Sequence, residues 1–213
     1  MNKIKILLLF ILTTSFCFAD ILPYYYGNLK NTAIGFVKVS SPLEIRSEPS
    51  SESEIIETIE FDYQNHFSCT SKQCIPEKIF SAYSEKNKIA LLSATDESQN
   101  WIKVCFNSEK PLCGWVKEDK NKFYNWSDFY NHLGKKYGLY YFKDISKKDK
   151  ILYASPQYNS NSTGKMILPR AIVPWLVRGN WVLVKVYDYD NNIKTGWINF
   201  RDENGKLKFF VKI

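Results

Sequence analysis

Few residues in this chain have the type and spacing that catalysis needs. The two histidines, His66 and His132, stand far apart in the sequence. None of the cysteines is followed by a convincing helix that would expose it as a nucleophile beside a histidine. No Gly-rich phosphate loop, His-Glu-x-x-His or Gly-x-Ser-x-Gly pattern occurs, and no pair among the many Asp and Glu residues is singled out. Catalytic residues, cofactors and metals are therefore all expected to be absent, and the chemistry left is binding. Trp101 and Trp181 each follow a polar turn, Ser98-Gln99-Asn100 and Arg178-Gly179-Asn180. That placement suits a half-exposed platform for stacking and apolar contact. Arg46 could pair with an anionic ligand or with a nearby Glu, and Tyr153, Trp175 and Tyr158 could line a second groove. Trp115 and Trp197, inside Gly-Trp-Val and Gly-Trp-Ile, are expected to fill cores.

The first residues read as an export signal. Lys3 and Lys5 precede an apolar run from Ile6 to Ile11, then polar Thr13, Thr14 and Ser15 lead to Cys17-Phe18-Ala19 before Asp20. The run is shorter than the roughly 20 residues of a spanning helix, and bulky Phe16 argues against lipidation at Cys17. Residues 1–19 are thus expected to be a signal peptide, and the chain to be periplasmic or secreted, meeting the membrane only during export. Their removal takes Lys3 and Lys5 and no acid, so the formal charge falls from +7 to +5. A spread positive charge of this size favours anionic neighbours weakly. Nucleic acid is excluded as a partner by export and by the lack of a binding motif.

Four cysteines remain, Cys69, Cys74, Cys105 and Cys113, and an even count in an oxidising compartment implies two disulfides. Spacing favours Cys69–Cys74 and Cys105–Cys113. A four-thiolate zinc site is the alternative, against which stand export and the absence of a Cys-x-x-Cys knuckle.

The elements that must position these residues are mostly short strands. Phe36 to Val39, Ile89 to Leu92, Trp101 to Phe106 and Trp181 to Tyr187 are rich in aromatic and β-branched residues. One helix is signalled, with Trp126, Phe129, Tyr130 and Leu133 on one face, Asn125 as its cap and Gly134 at its end. A three-part pattern recurs along the chain: Pro42-Leu43-Glu44-Ile45-Arg46-Ser47-Glu48-Pro49, then Asn100-Trp101-Ile102-Lys103-Val104, then Gly114-Trp115-Val116. Its weaker echo is Ile151-Leu152-Tyr153-Ala154-Ser155-Pro156, Asn180 to Val184 and Gly196-Trp197-Ile198. An ordered recurrence identifies a repeated small β module. The first module carries about 28 extra residues between Ile59 and Trp101, by comparison with the span from Ile167 to Trp181.

At these residues the chain resembles bacterial SH3 (SH3b) domains. Module one matches at Leu43, Ile45, Arg46, Ser47, Pro49, Trp101, Lys103, Val104, Gly114, Trp115 and Val116, and departs at Glu44 and Glu48. Module two keeps Ser155, Pro156, Trp181, Val182, Val184, Gly196, Trp197 and Ile198, with Ala154 set against Arg46. The resemblance implies an all-β chain of two tandem SH3-like small barrels joined by a short helical connector. The modules would cover 33–119, with an insertion at about 60–86, and 137–211, with the connector at 120–136. It also implies a non-catalytic binding role towards peptidoglycan or an envelope peptide or protein, with Arg46, Trp101, Tyr153, Trp175 and Trp181 as the ligand-binding residues. A periplasmic interaction or inhibitor protein that uses the insertion is the alternative, and a cell-wall hydrolase the third reading.

Overall fold

A computed structural model describes residues 29–61, 67–70, 75–107 and 112–213. The expected signal peptide 1–19, His66 and Cys74 lie outside the described residues. Among the described residues strands hold 47% and helices 12%, and the strands pair antiparallel, so the fold is all-β as the patterning predicts.

The first half contributes β1 (Gly35–Val39), β2 (Leu43–Arg46), β3 (Ile55–Phe61), β4 (Phe67–Cys69), α1 (Pro76–Ile79), β5 (Ala82–Ser84), β6 (Ile89–Ser98), β7 (Trp101–Cys105), β8 (Cys113–Lys117) and β9 (Phe123–Asn125). A helical run follows, made of α2 (Trp126–Asp128), a π-helical stretch (Phe129–Gly134) and α3 (Lys135–Tyr137). The second half holds β10 (Leu139–Tyr141), a 3-10 turn (Lys147–Lys150), β11 (Ile151–Tyr153), β12 (Ser162–Lys165), β13 (Ala171–Arg178), β14 (Trp181–Tyr187), β15 (Ile193–Asn199) and β16 (Phe209–Val211).

The two halves share one strand order. The larger sheet runs β4-β3-β2-β8-β7-β6-β1-β9 with β5 beside β6, and the smaller runs β12-β11-β15-β14-β13. The stretch β3-β2-β8-β7-β6 therefore answers β12-β11-β15-β14-β13 strand for strand. Both are open paths rather than closed barrels. Details repeat as well. Arg46 faces Trp115 across β2 and β8, while Tyr153 faces Trp197 across β11 and β15. The β6–β7 ladder slips between Ala94 and Asp96, and the β13–β14 ladder slips between Pro174 and Leu176. Gln99 and Gly179 both adopt positive φ at the following turn, 53° and 55°. These registers correct the alignment read from the motif: Tyr153, not Ala154, stands where Arg46 does.

Strict alternation sorts the sheet faces. In β14 every second residue is buried, and Val182, Val184 and Val186 join the core. The same rule places Val116 and Ile198 inward and turns Trp115 and Trp197 to the opposite face; Trp115 is only half-buried there, contrary to the expectation that it fills a core, whereas Trp197 is buried, at 8% exposure. There Lys103 Nζ lies 5.5 Å from the Trp115 ring centroid and the Arg178 guanidinium 5.7 Å from that of Trp197.

β1 and β6 are buried on both faces. Val37, Val39, Ala90, Leu92 and Ala94 point into the first core with Ile45, Ile102 and Val104. Phe36, Ile89 and Leu91 point the other way, into a second core shared with the helical run and the whole second half. Phe36 meets Phe129 at 4.7 Å and Phe210 at 5.6 Å, and Tyr130 meets Phe200 at 4.7 Å. The Tyr130 hydroxyl donates to the Phe209 carbonyl at 2.9 Å. Gly134 lets the helix approach β13, since a Cβ there would fall 2.7 Å from Pro174 Cγ.

The segment between β3 and β6 folds back onto the first core. β4 extends the sheet beyond β3, β5 pairs with β6, and α1 delivers Ile79 and Phe80 into the core, where Phe80 touches Phe67 at 4.4 Å. Truncating Phe80 empties a fully buried ring site. Phe80→Ala should cost about 3–5 kcal/mol in a urea denaturation experiment, and a loss below about 1 kcal/mol would mark the segment as peripheral.

Candidate functional site

Arg46 and Trp101, far apart in sequence, meet at one groove of about 640 Å³ in the first half. Pro42, Leu43, Glu44 and Arg46 of the β2 edge form one wall, Trp101 at the start of β7 another, and residues 117–122 after β8 the third, with Ser51 at the rim. Trp101 is half-buried because it heads the outward face of β7, whose alternate residues Ile102 and Val104 are in the core. Arg46 is held in place: its guanidinium donates to Glu44 at 2.8 Å and to the Ser53 carbonyl at 2.6 Å. It therefore pairs with a neighbouring Glu and still lines the groove. Lys122 donates to Ser41 at 2.8 Å and stands 3.7 Å from Asp119. Arg46, Lys117, Lys120 and Lys122 face Glu44, Glu118 and Asp119, so the walls carry both signs with one positive charge in excess.

The corresponding place in the second half is filled. Tyr153, Tyr158 and Trp181 form a ring cluster, with Tyr158 4.8 Å from Trp181 and 5.7 Å from Tyr153. The structure thus brings together three of the residues singled out in the sequence, but as a packed group. Trp175 does not join them. It sits at the bulge of β13, is 55% exposed, and lies under Lys185 at 4.3 Å and Lys135 at 5.9 Å.

Beneath the cluster lies a network that sequence reasoning missed. Lys208 donates to Asp149 at 2.9 Å, to Asn199 at 2.7 Å and to the Tyr158 hydroxyl at 2.7 Å, which uses all three of its protons. The Tyr158 hydroxyl gives its own proton to Asp149 at 2.7 Å. Ser146 closes the other side of Asp149 at 2.7 Å. Asp149 and Lys208 are only 5% and 13% exposed, so each is charged where an unpaired charge would be costly. Burial pushes the Asp149 carboxyl up, but the hydrogen bonds from Lys208, Ser146 and Tyr158 outweigh it and hold the group below the usual carboxylate range. Burial and the bond to Asp149 push the Tyr158 hydroxyl far above an ordinary phenol. The signal available in the sequence was the Ser146-x-x-Asp149 box, which here opens the 3-10 turn.

Cys105 and Cys113 are joined across β7 and β8, as expected, and Cys69 is also disulfide-bonded. His132 lies beside Tyr124, ring centroids 6.1 Å apart. Among the described residues no helix is long and apolar enough to cross a membrane. The chain matches no model of a known protein family and no curated protein.

The folded pKa of Asp149 lies below an unfolded value of about 3.9. Its pairing therefore stabilises the fold above that pH, and the contribution fades as the pH falls through the folded value. Asp149→Asn should lower the urea midpoint at neutral pH and flatten the loss of stability between roughly pH 5 and pH 2. An unchanged acid limb would show that the network contributes nothing to it.

Proposed function

We propose that this is an exported, non-catalytic binding protein of two tandem bacterial SH3-like barrels, which grips peptidoglycan or an envelope peptide in the Arg46–Trp101 groove. The groove itself is the observation that carries the reading: an indole platform beside a fixed guanidinium, within walls that bear both signs of charge. Stacking on Trp101 suits a sugar face or an extended peptide, and wall peptides offer both carboxylates and amines to the charged walls. The repeated strand order supports the tandem-barrel reading, and the Cys105–Cys113 disulfide suits an oxidising compartment. The alternative, a partner-binding or inhibitory role for segment 60–86, gains less from the structure, because Ile79 and Phe80 of that segment are committed to the core.

Cosedimentation with purified sacculi tests the proposal. The wild-type protein should be retained at low salt, and Trp101→Ala should weaken retention at least about tenfold, as expected for an aromatic anchor at a binding site. Trp175→Ala, exposed on the other sheet, should bind as wild type. Equal retention of wild type and Trp101→Ala would remove the groove from the function.

A further inference from the structure

The second half shows what kind of group the open groove is shaped to hold. The loops after β2 and β11 are built alike. Arg46 pairs with Ile55 and Tyr153 with Ser162, so each loop spans eight residues, 47–54 and 154–161. Ser47 N donates to Glu54 O at 2.9 Å, as Ala154 N does to Asn161 O at 2.8 Å. Ser50 N donates to Glu48 O at 2.8 Å, as Gln157 N does to Ser155 O at 2.8 Å. Ser53 N to Ser50 O and Ser160 N to Gln157 O are both 3.3 Å. One loop therefore superposes on the other residue by residue, and Ser51 stands where Tyr158 stands.

The surroundings correspond too. Trp101 faces Lys117 as Trp181 faces Asn199. Lys38 N donates to Lys122 O as Phe142 N donates to Lys208 O, so Lys122 takes the place of Lys208. Counting back from β2 and β11, Pro42 takes the place of Asp149. In the second half the space over the tryptophan holds the chain's own phenol ring, and its carboxylate neutralises the lysine below. In the first half the ring is reduced to Ser51, the carboxylate to Pro42, and Asn199 becomes Lys117. The space over Trp101 is left open, with Lys117 and Lys122 both lining it and Asp119 3.7 Å from Lys122.

We infer that the Arg46–Trp101 groove takes an aromatic side chain of a partner peptide, seated as Tyr158 is seated on Trp181, with an acidic group of the same peptide against Lys117 and Lys122. This rests on the reading of the groove as the binding site and names the ligand chemistry within it. It makes Ser51 the specificity-determining position, and it makes the second half a closed copy whose site is satisfied from within.

The test titrates blocked tetrapeptides into the isotope-labelled full-length mature protein and follows the Trp101 indole N–H signal, assigned with Trp101→Phe. Acetyl-Gly-Tyr-Glu-Gly-amide should move the signal. Acetyl-Gly-Ala-Glu-Gly-amide should leave it unmoved, and acetyl-Gly-Tyr-Lys-Gly-amide should bind about tenfold more weakly, having like charge against the lysines. Ser51→Tyr reproduces the second half and should abolish the shift. Tyr158→Ser should make the Trp181 signal respond as well. The inference is overturned if the alanine peptide acts like the tyrosine peptide, or if folded Ser51→Tyr binds as wild type. Should Ser51→Tyr fail to fold, the comparison of the two peptides on the wild-type protein decides alone. Retention on sacculi that depends on Trp101, with no response to tyrosine peptides, would overturn the aromatic ligand and leave the groove as the site. Retention independent of Trp101 would end both.

Discussion

The whole arrangement depends on β1 and β6 being covered on both faces. A strand pair at the margin of a small sheet normally turns one face to water, and its residues alternate accordingly. Here the second face carries Phe36, Ile89 and Leu91, which would be costly to expose at about 1.5–3 kcal/mol for each large side chain. The helical run meets that demand with Phe129, Tyr130 and Leu133, and the second half completes the cover with Phe200 and Phe210. Polar groups fix the docking. The Ala33 carbonyl receives both the Trp126 indole at 3.1 Å and the Arg201 guanidinium at 2.9 Å, and the same guanidinium lies 5.0 Å from the Trp126 ring centroid. The two halves therefore share the second of the two cores, and the helix between them is a wedge rather than a tether.

On that frame the two copies have diverged in what they do with one place. Each sheet offers a tryptophan at the head of an outward face, beside a loop of the same length and hydrogen bonding. In the second copy a tyrosine, an aspartate, an asparagine and a lysine close the place with every polar atom paired. In the first, the same positions carry serine, proline and two lysines, and a groove results. A buried ion pair is weak evidence for stability when compared with an apolar filling. Its value here is in fixing one seat for the Tyr158 ring, since the hydroxyl receives from Lys208 and finds its acceptors, Asp149 at 2.7 Å and Asn199 at 3.0 Å, only in that seat.

Much of the strand inventory was legible in the sequence, because short β-branched runs between turn residues leave few other assignments. Arg46 and Trp101 were each singled out from the motif, but not their meeting at one groove, which depends on the pairing of strands distant in the sequence. The faces of Trp115 and Trp197 were not, since an apolar neighbour on each side hides which of the two alternating sets is inward. The pairing of Arg46 with Ala154 failed because the echo was aligned on its apolar residues, whereas the ladder aligns on the prolines, Pro49 and Pro156. Trp175 was misplaced by the bulge of β13, which sends its ring away from the Tyr153 cluster. The helix was foreseen from its apolar spacing, but not its π-helical turn, nor its continuation past Gly134 to Tyr137.

That proline has a wider meaning. Ala94 in the first half pairs with Gly35 of β1, and the corresponding Pro174 has no N–H to give, so β10 pairs with β16 alone and β13 becomes the last strand of its sheet. A bare edge of eight residues is a template on which a second molecule could add its own strand. The proline, the adjacent bulge and the helix laid against it together spoil that template. The imino acid thus does for β13 what a covering strand does for β6: it leaves no continuous row of donors on which a second chain could pair.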